Sequence, residues 1–191
     1  CGKVCEVREG TFKGAQSDPE YETIGAFGGQ CGVSDFGAII AANQICDEQG
    51  IDTMTSGTLI AFAMECFERG LISKKETDGL DLRFGNGEAM VEMVHRLATR
   101  DGLGDLLAGG FSQIKKKRPE LEYYMMHVKG LAFAHYEPRA FYGMGLAYGT
   151  SSRGACHNVG GWTIRDELLT KTHDRFATKG KGRLVQTLQD N

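Results

Sequence analysis

Only three prolines interrupt the 191 residues, while glycine is abundant at 27. Glycines repeatedly close helical segments, so this balance points to capped helices and tight turns rather than disorder. Charge of one sign is also lacking. The 22 basic and 25 acidic residues are well mixed and leave a formal charge of −3, which implies no nucleic-acid partner. The one basic cluster, Lys115–Arg118, ends a helical pattern and reads as a solvated face. No stretch approaches the roughly 18–20 apolar residues of a membrane span, and no signal peptide opens the chain. The six cysteines show no disulfide-framework spacing. Cys46 and Cys66 fall within apolar helical patterns and read as buried thiols of a cytoplasmic protein. The first residue is Cys1 rather than Met, and the motifs below favour a piece cut from a longer chain.

With 41% hydrophobic residues, the chain can bury the core of one large domain or two small ones. Residues 1–33 look irregular. Ser34 and Asp35 can cap a helix carrying Phe36, Ile39 and Ile40 that stops at Gly50. A second helix is expected from Asp52 to Gly70, its Leu59, Phe62, Ala63, Cys66 and Phe67 recurring at core-facing spacing. Met90, Met93, Val94 and Leu97 mark a third, stopped near Gly102. Leu103, Leu106, Leu107, Gly110, Phe111 and Ile114 mark a fourth, halted before Pro119. Residues 119–163 suit loops or short helices at a functional surface, with Tyr123–Val128 a candidate short strand. Two more helical patterns lie around Ile164–Phe176 and Gly182–Leu188. The fold class is mainly α, with no internal repeat.

The most informative stretch is Cys46-Asp47-Glu48-Gln49-Gly50-Ile51-Asp52, an Asp-x-x-Gly-(Leu/Ile)-Asp sequence between two helices. A left-handed Gly50 would end the first helix, leaving Asp47 on its last turn and Asp52 at the next helix start. Two carboxylates would then flank one polar notch able to accept hydrogen bonds from a ring with several N–H donors. The plainer reading makes Asp52 a helix cap and Asp47 a surface acid.

This segment resembles the pterin-binding motif of the aldehyde:ferredoxin oxidoreductase family. Others resemble that family in the same order: Cys1-Gly2, Tyr21–Ile24, Cys31–Val33, Asp101–Ala108, Lys129–Leu131, Glu137–Arg139, Gly143–Tyr148 and Arg153–His157. Each match is short, but the collinear set covers essentially the whole chain. The resemblance implies helical domains 2 and 3 of that fold, truncated. Residues 1–126 would form most of domain 2, residues 127–191 the start of domain 3, and the N-terminal β domain would be missing.

The implied function is oxidation of an aldehyde to a carboxylic acid at tungsten, or molybdenum, held by a bis-pterin cofactor. Electrons would leave through a 4Fe-4S cluster to a ferredoxin-like acceptor. By the same resemblance, Glu22 is an active-site carboxylate, with Glu20 the fallback if the match slips. His157 is an active-site imidazole suited to giving a proton or hydrogen bond near neutral pH. Asp47, Ile51 and Asp52 would hold the pterin, and Arg153 and Gly154 would also contact the cofactor. Cys1 would be an iron ligand, though Cys5 could instead pair with it at x3 spacing. The second pterin motif, Asp-x-x-Gly-Leu-Cys, does not occur. A Cys156–His157 nucleophilic pair is a minor alternative. Many relatives carry a basic residue where this chain has Val159, which bears on the cofactor's outer contacts and the substrate. The rival readings are a branch acting on aromatic thioesters, a homologue retaining only electron transfer, and a helical interaction module without cofactor. The sequence does not fix the metal, the aldehyde or the oligomeric state, a homo-oligomer included.

Overall fold

The computed structural model describes residues 4–190. The chain divides into two compact units, Cys1–Met126 and His127–Asn191. Among the described residues the first is built mainly of helices joined by turns, with one minimal hairpin, β1 (Cys5–Glu6) against β2 (Gln16–Ser17). Where the sequence looked irregular, a short helix α1 (Tyr21–Thr23) runs directly into a seven-residue π-helical segment, Ile24–Gln30. Ala26, Phe27 and Gly28 of that segment are buried.

Helices α2 (Phe36–Gln49) and α3 (Thr53–Glu68) start where short acids can accept backbone N–H groups. Asp35 Oδ1 accepts from Gly37 N at 2.8 Å, and Asp52 Oδ2 accepts from Thr55 N at 2.7 Å, each satisfying a donor that the first turn cannot bond internally. Ile39 and Ile40 are buried as expected, whereas Phe36 stands 45% exposed. The third helix, α4 (Gly87–Thr99), is capped by Asn86. Its Met90, Met93, Val94 and Leu97 are all buried, each contributing about 1.5–3 kcal/mol as an upper estimate. It stops at Arg100 rather than near Gly102, because Arg100 itself adopts the left-handed conformation.

The single helix expected from Leu103 to Pro119 is two, α5 (Leu103–Ala108) and α6 (Gly110–Lys117). The Gly109-Gly110 pair breaks it, Gly110 turning to φ +67°. Leu107, Phe111 and Ile114 still reach the core, so the apolar pattern survives the break. The Tyr123–Val128 strand is largely replaced by a 3₁₀ turn at Pro119–Tyr124, and only His127–Val128 pairs as a strand. The basic cluster is only partly a solvated face: Arg118 bonds Glu76 at 2.7 Å and the Leu71 carbonyl at 3.0 Å.

The second unit opens with a hairpin, β3 (His127–Val128) against β4 (Leu131–Ala132). Helices α7 (Tyr142–Thr150), α8 (His157–Gly160) and α9 (Lys181–Gln189) follow, with α7 packed on both α8 and α9. The pattern over Ile164–Phe176 yields only a five-residue π turn, Arg165–Leu169, before the chain becomes irregular. Its Glu167 is buried, accepting from Thr163 Oγ1 at 2.7 Å, from Gly143 N at 3.0 Å and from Lys181 Nζ. No helix among the described residues is long and apolar enough to cross a membrane.

Candidate functional site

In the first unit the Asp-x-x-Gly-Ile-Asp stretch forms the corner between α2 and α3. Gly50 takes φ +67° and ψ +39°, a conformation open to glycine at little steric cost. Its N–H and that of Ile51 both donate to the Cys46 carbonyl, which ends α2 and turns the chain sharply into Asp52. Beside this corner opens a cavity of about 380 Å³, within the range of small-molecule sites. Gln49, Gly50, Ile51 and Asp52 of the corner line it together with residues of α3 and with Leu97, Ala98, Arg100 and Ala108. Arg100 is anchored there through Nε to Asp105 Oδ1 at 2.8 Å.

The two motif carboxylates are placed differently. Asp52 borders the cavity while capping α3. Asp47 is absent from its lining and exposed, accepting from Asn43 Nδ2 at 3.0 Å. Glu22 comes close to this corner by a route that spacing did not suggest. Its neighbour Thr23 shares a 2.8 Å hydroxyl–hydroxyl hydrogen bond with Thr53, the first residue of α3 and the next after Asp52. Glu22 Oε1 is shielded from solvent. The thiol beside Asp47, Cys46, is pushed up to about 12 by burial and then by the Asp47 and Asp52 charges.

In the second unit Ser151–His157 forms the other candidate segment. His157 opens α8, with Cys156 as its cap: the Cys156 sulfur accepts from Val159 N at 3.5 Å. Arg153 Nη1 lies 3.8 Å from the same sulfur, so Arg153 and His157 share one turn of chain. Gly154 has φ +108°, and a Cβ there would come within 2.4 Å of the Val128 carbonyl oxygen. Only glycine fits so close an approach. The His157 ring packs 5.3 Å from that of Tyr136, which meets Trp162 edge-on at 6.1 Å. Ser151 Oγ is buried and has no hydrogen-bond partner among the described residues. Tyr136, Trp162, Thr53 and Arg100 carried no motif and were not anticipated. Cys1, expected to bind iron, lies outside the described residues. Among the described residues no cluster of three His, Cys, Asp or Glu side chains is arranged to hold a metal ion.

Residues 1–191 match the sequence profile described as aldehyde ferredoxin oxidoreductase, domains 2 and 3. The chain belongs to the aldehyde ferredoxin oxidoreductase family. Its mainly α architecture agrees with that family's helical domains. The chain is similar to a tungsten-containing aldehyde ferredoxin oxidoreductase of Pyrococcus horikoshii, at 41% identity over 159 residues, which is 82% of this chain and 26% of that protein. A protein of the same description from Pyrococcus furiosus is 40% identical over 172 residues, 88% of this chain and 27% of the relative. More distant is an aliphatic sulfonate oxidoreductase, WOR-like subunit, of Pyrococcus furiosus, 30% identical over 165 residues, 82% of this chain and 26% of the relative. The chain thus spans about a quarter of the length of these curated relatives.

Each unit, taken by itself, presents polar groups that a polar cofactor could engage. The cavity at the motif is lined by Asp52 and Arg100 together with apolar side chains such as Ile51, Leu59 and Leu97. The orphaned Ser151 hydroxyl, two residues before Arg153, offers an unused donor and acceptor in the second unit.

Proposed function

We propose that this chain is the part of a tungsten- or molybdenum-pterin oxidoreductase that positions the cofactor and supplies proton-handling groups for oxidation of aldehydes to carboxylic acids. The supporting observation is the cavity at Ile51 and Asp52, set in a chain matched along its whole length by this family's profile. The first unit is most of the family's domain 2 and the second the beginning of domain 3. A β domain outside this chain completes the cofactor site.

Asp47, Ile51 and Asp52 would hold the pterin, the carboxylates accepting from ring N–H groups. Arg153 would offer paired N–H donors to a phosphate, and Gly154 would permit close backbone approach. The bound cofactor supplies the two-electron acceptor needed when an aldehyde and water become a carboxylic acid, two protons and two electrons. By the family resemblance Cys1 would offer a thiolate to a 4Fe-4S cluster, which would supply a one-electron route to a ferredoxin-like acceptor. Glu22 takes a proton as water adds to the carbonyl carbon, its carboxylate sheltered from bulk water. His157 hydrogen-bonds the substrate oxygen, its ring braced by Tyr136. The whole enzyme is assigned to the cytoplasm.

Elemental analysis of the full-length parent protein, purified without oxygen, tests this reading. About one tungsten or molybdenum with four irons per chain, together with aldehyde-dependent dye reduction, is expected. Iron alone would replace it with an electron-transfer homologue, and no metal with a helical interaction module. The lower identity to the sulfonate enzyme, 30% against 41%, favours an aldehyde over a sulfonate as substrate.

A further inference from the structure

Lys129 sits where a lysine is ill suited to the backbone. Strands β3 and β4 are joined by the two residues Lys129-Gly130, with φ +55° and +84°. Tight hairpin turns of this kind require both central residues in the left-handed region and favour Asn-Gly. A β-carbon is disfavoured there, and a residue kept in such a conformation points to a role for its side chain.

That side chain reaches across the unit. Lys129 Nζ donates to the Ser151 carbonyl at 3.1 Å and is 3.4 Å from that of Ser152. These are the first carbonyls beyond α7, for which Ser151 is the C-terminal cap. The Ser151 carbonyl also accepts from Gly154 N at 3.3 Å, and the ammonium adds a charged donor next to the negative end of α7. The same hairpin touches the far end of the segment, where Gly154 lies against the Val128 carbonyl. The turn is itself stapled, since Gly130 N donates to His127 Nδ1 at 3.2 Å. Both ends of Ser151–Gly154 therefore contact one hairpin, and Arg153, Cys156 and His157 lie in or just after that segment.

We propose that Lys129 is a positioning residue: its ammonium tethers the Ser151–Gly154 loop and thereby sets the placement of Arg153 and His157. In that role it acts through Arg153 and His157 rather than on the reacting atoms. The catalytic consequence rests on the function proposed above, whereas the tether itself does not.

The test uses the full-length parent protein carrying Lys129→Asn, which keeps a residue tolerant of the turn and removes the amine. Lys129→Gly serves as the second variant, free of backbone strain. Hydrogen exchange read by mass spectrometry should show amides of residues 151–157 exchanging about tenfold faster in both variants, with the rest of residues 127–190 unchanged. In steady-state aldehyde oxidation kcat should fall about tenfold with KM little altered, and propylammonium should restore part of the loss in Lys129→Gly. Unchanged exchange at 151–157, or acceleration spread evenly through the unit, would overturn the tether. Localised acceleration with unaltered kcat would overturn the positioning role. Localised acceleration in a parent protein that holds no pterin metal would uphold the tether and remove the enzymatic reading instead.

Discussion

Glu167 and Lys181 form an ion pair inside the second unit, their side chains 0% and 4% exposed. Thr163, the Gly143 amide and the Asp174 carbonyl complete the hydrogen bonding around the two charges. The pair joins the start of α7, the π turn and the first residue of α9. Lys181→Met should leave a buried carboxylate without its cation and destabilise the unit by about 3–5 kcal/mol. The double change Lys181→Met with Glu167→Leu should cost clearly less than the two single changes summed, because neither charge is then left alone. Denaturant titration of the three variants checks this.

Gly154→Ala introduces a Cβ into a space bounded by the Val128 carbonyl oxygen, at a φ that L side chains rarely adopt. A loss of more than about 1 kcal/mol is expected, read as a lower thermal midpoint. If Gly154 also meets the cofactor, metal content falls further than stability alone requires.

Asp52 combines a cap and a cavity wall, and two substitutions separate these roles. Asp52→Ala removes both and should cost about 1 kcal/mol through the lost cap. Asp52→Ser can still cap Thr55 N, so stability should stay near native while the carboxylate is gone. On the function proposed here, both lower the ratio of tungsten or molybdenum to iron in the full-length protein. Normal metal in Asp52→Ser would restrict Asp52 to capping.

Three thiols of the first unit are held protonated. Burial raises Cys31, which donates to the Gly57 carbonyl at 3.5 Å. Burial also pushes Cys46 and Cys66 up to about 12, helped at Cys66 by the Glu65 charge. At pH 8.5 these three should resist iodoacetamide in the native protein and react once unfolded, as peptide mass spectrometry would show. The partly exposed Cys5 serves as the internal comparison. A thiol raised in the folded state contributes stability fully present below its ordinary value of 9.0. That contribution is lost as pH rises toward 12, so stability should fall over this alkaline window and not between pH 6 and 8.

Much of the helical framework was legible because its punctuation is local. Asp35, Gly50 and Asp52 mark helix ends by their own hydrogen-bonding and backbone preferences, and the Met90–Leu97 stripe needs only helical spacing. Features that depend on distant packing were hidden. Nothing about Arg100 announces a left-handed residue, and nothing in the Ile24–Gln30 or Arg165–Leu169 composition distinguishes a π turn from an α turn. The Gly109-Gly110 break was overlooked because the apolar pattern continues through it. At the site, the motif corner could be read from sequence. The rest of the lining, Leu97, Ala98, Arg100 and Ala108 among it, joins only through the packing of α4 and α5. Glu22 and His157 stood out by family resemblance, and chemistry alone gave no reason to prefer them.

The π segment after Glu22 acts as a phase setting. An α-helix advances about 100° per residue, and each wider π turn accommodates one residue more than an α turn would. Were the same residues, Ile24–Gln30, to wind as an α-helix instead, each converted turn would leave one residue over while Phe27 and its buried neighbours kept their seat. Everything upstream would then swing by about 100°, carrying the Glu22 carboxylate to a different face of the helix. A change of winding here, with no residue gained or lost, could thus re-aim an acidic group without altering any residue of the corner it adjoins.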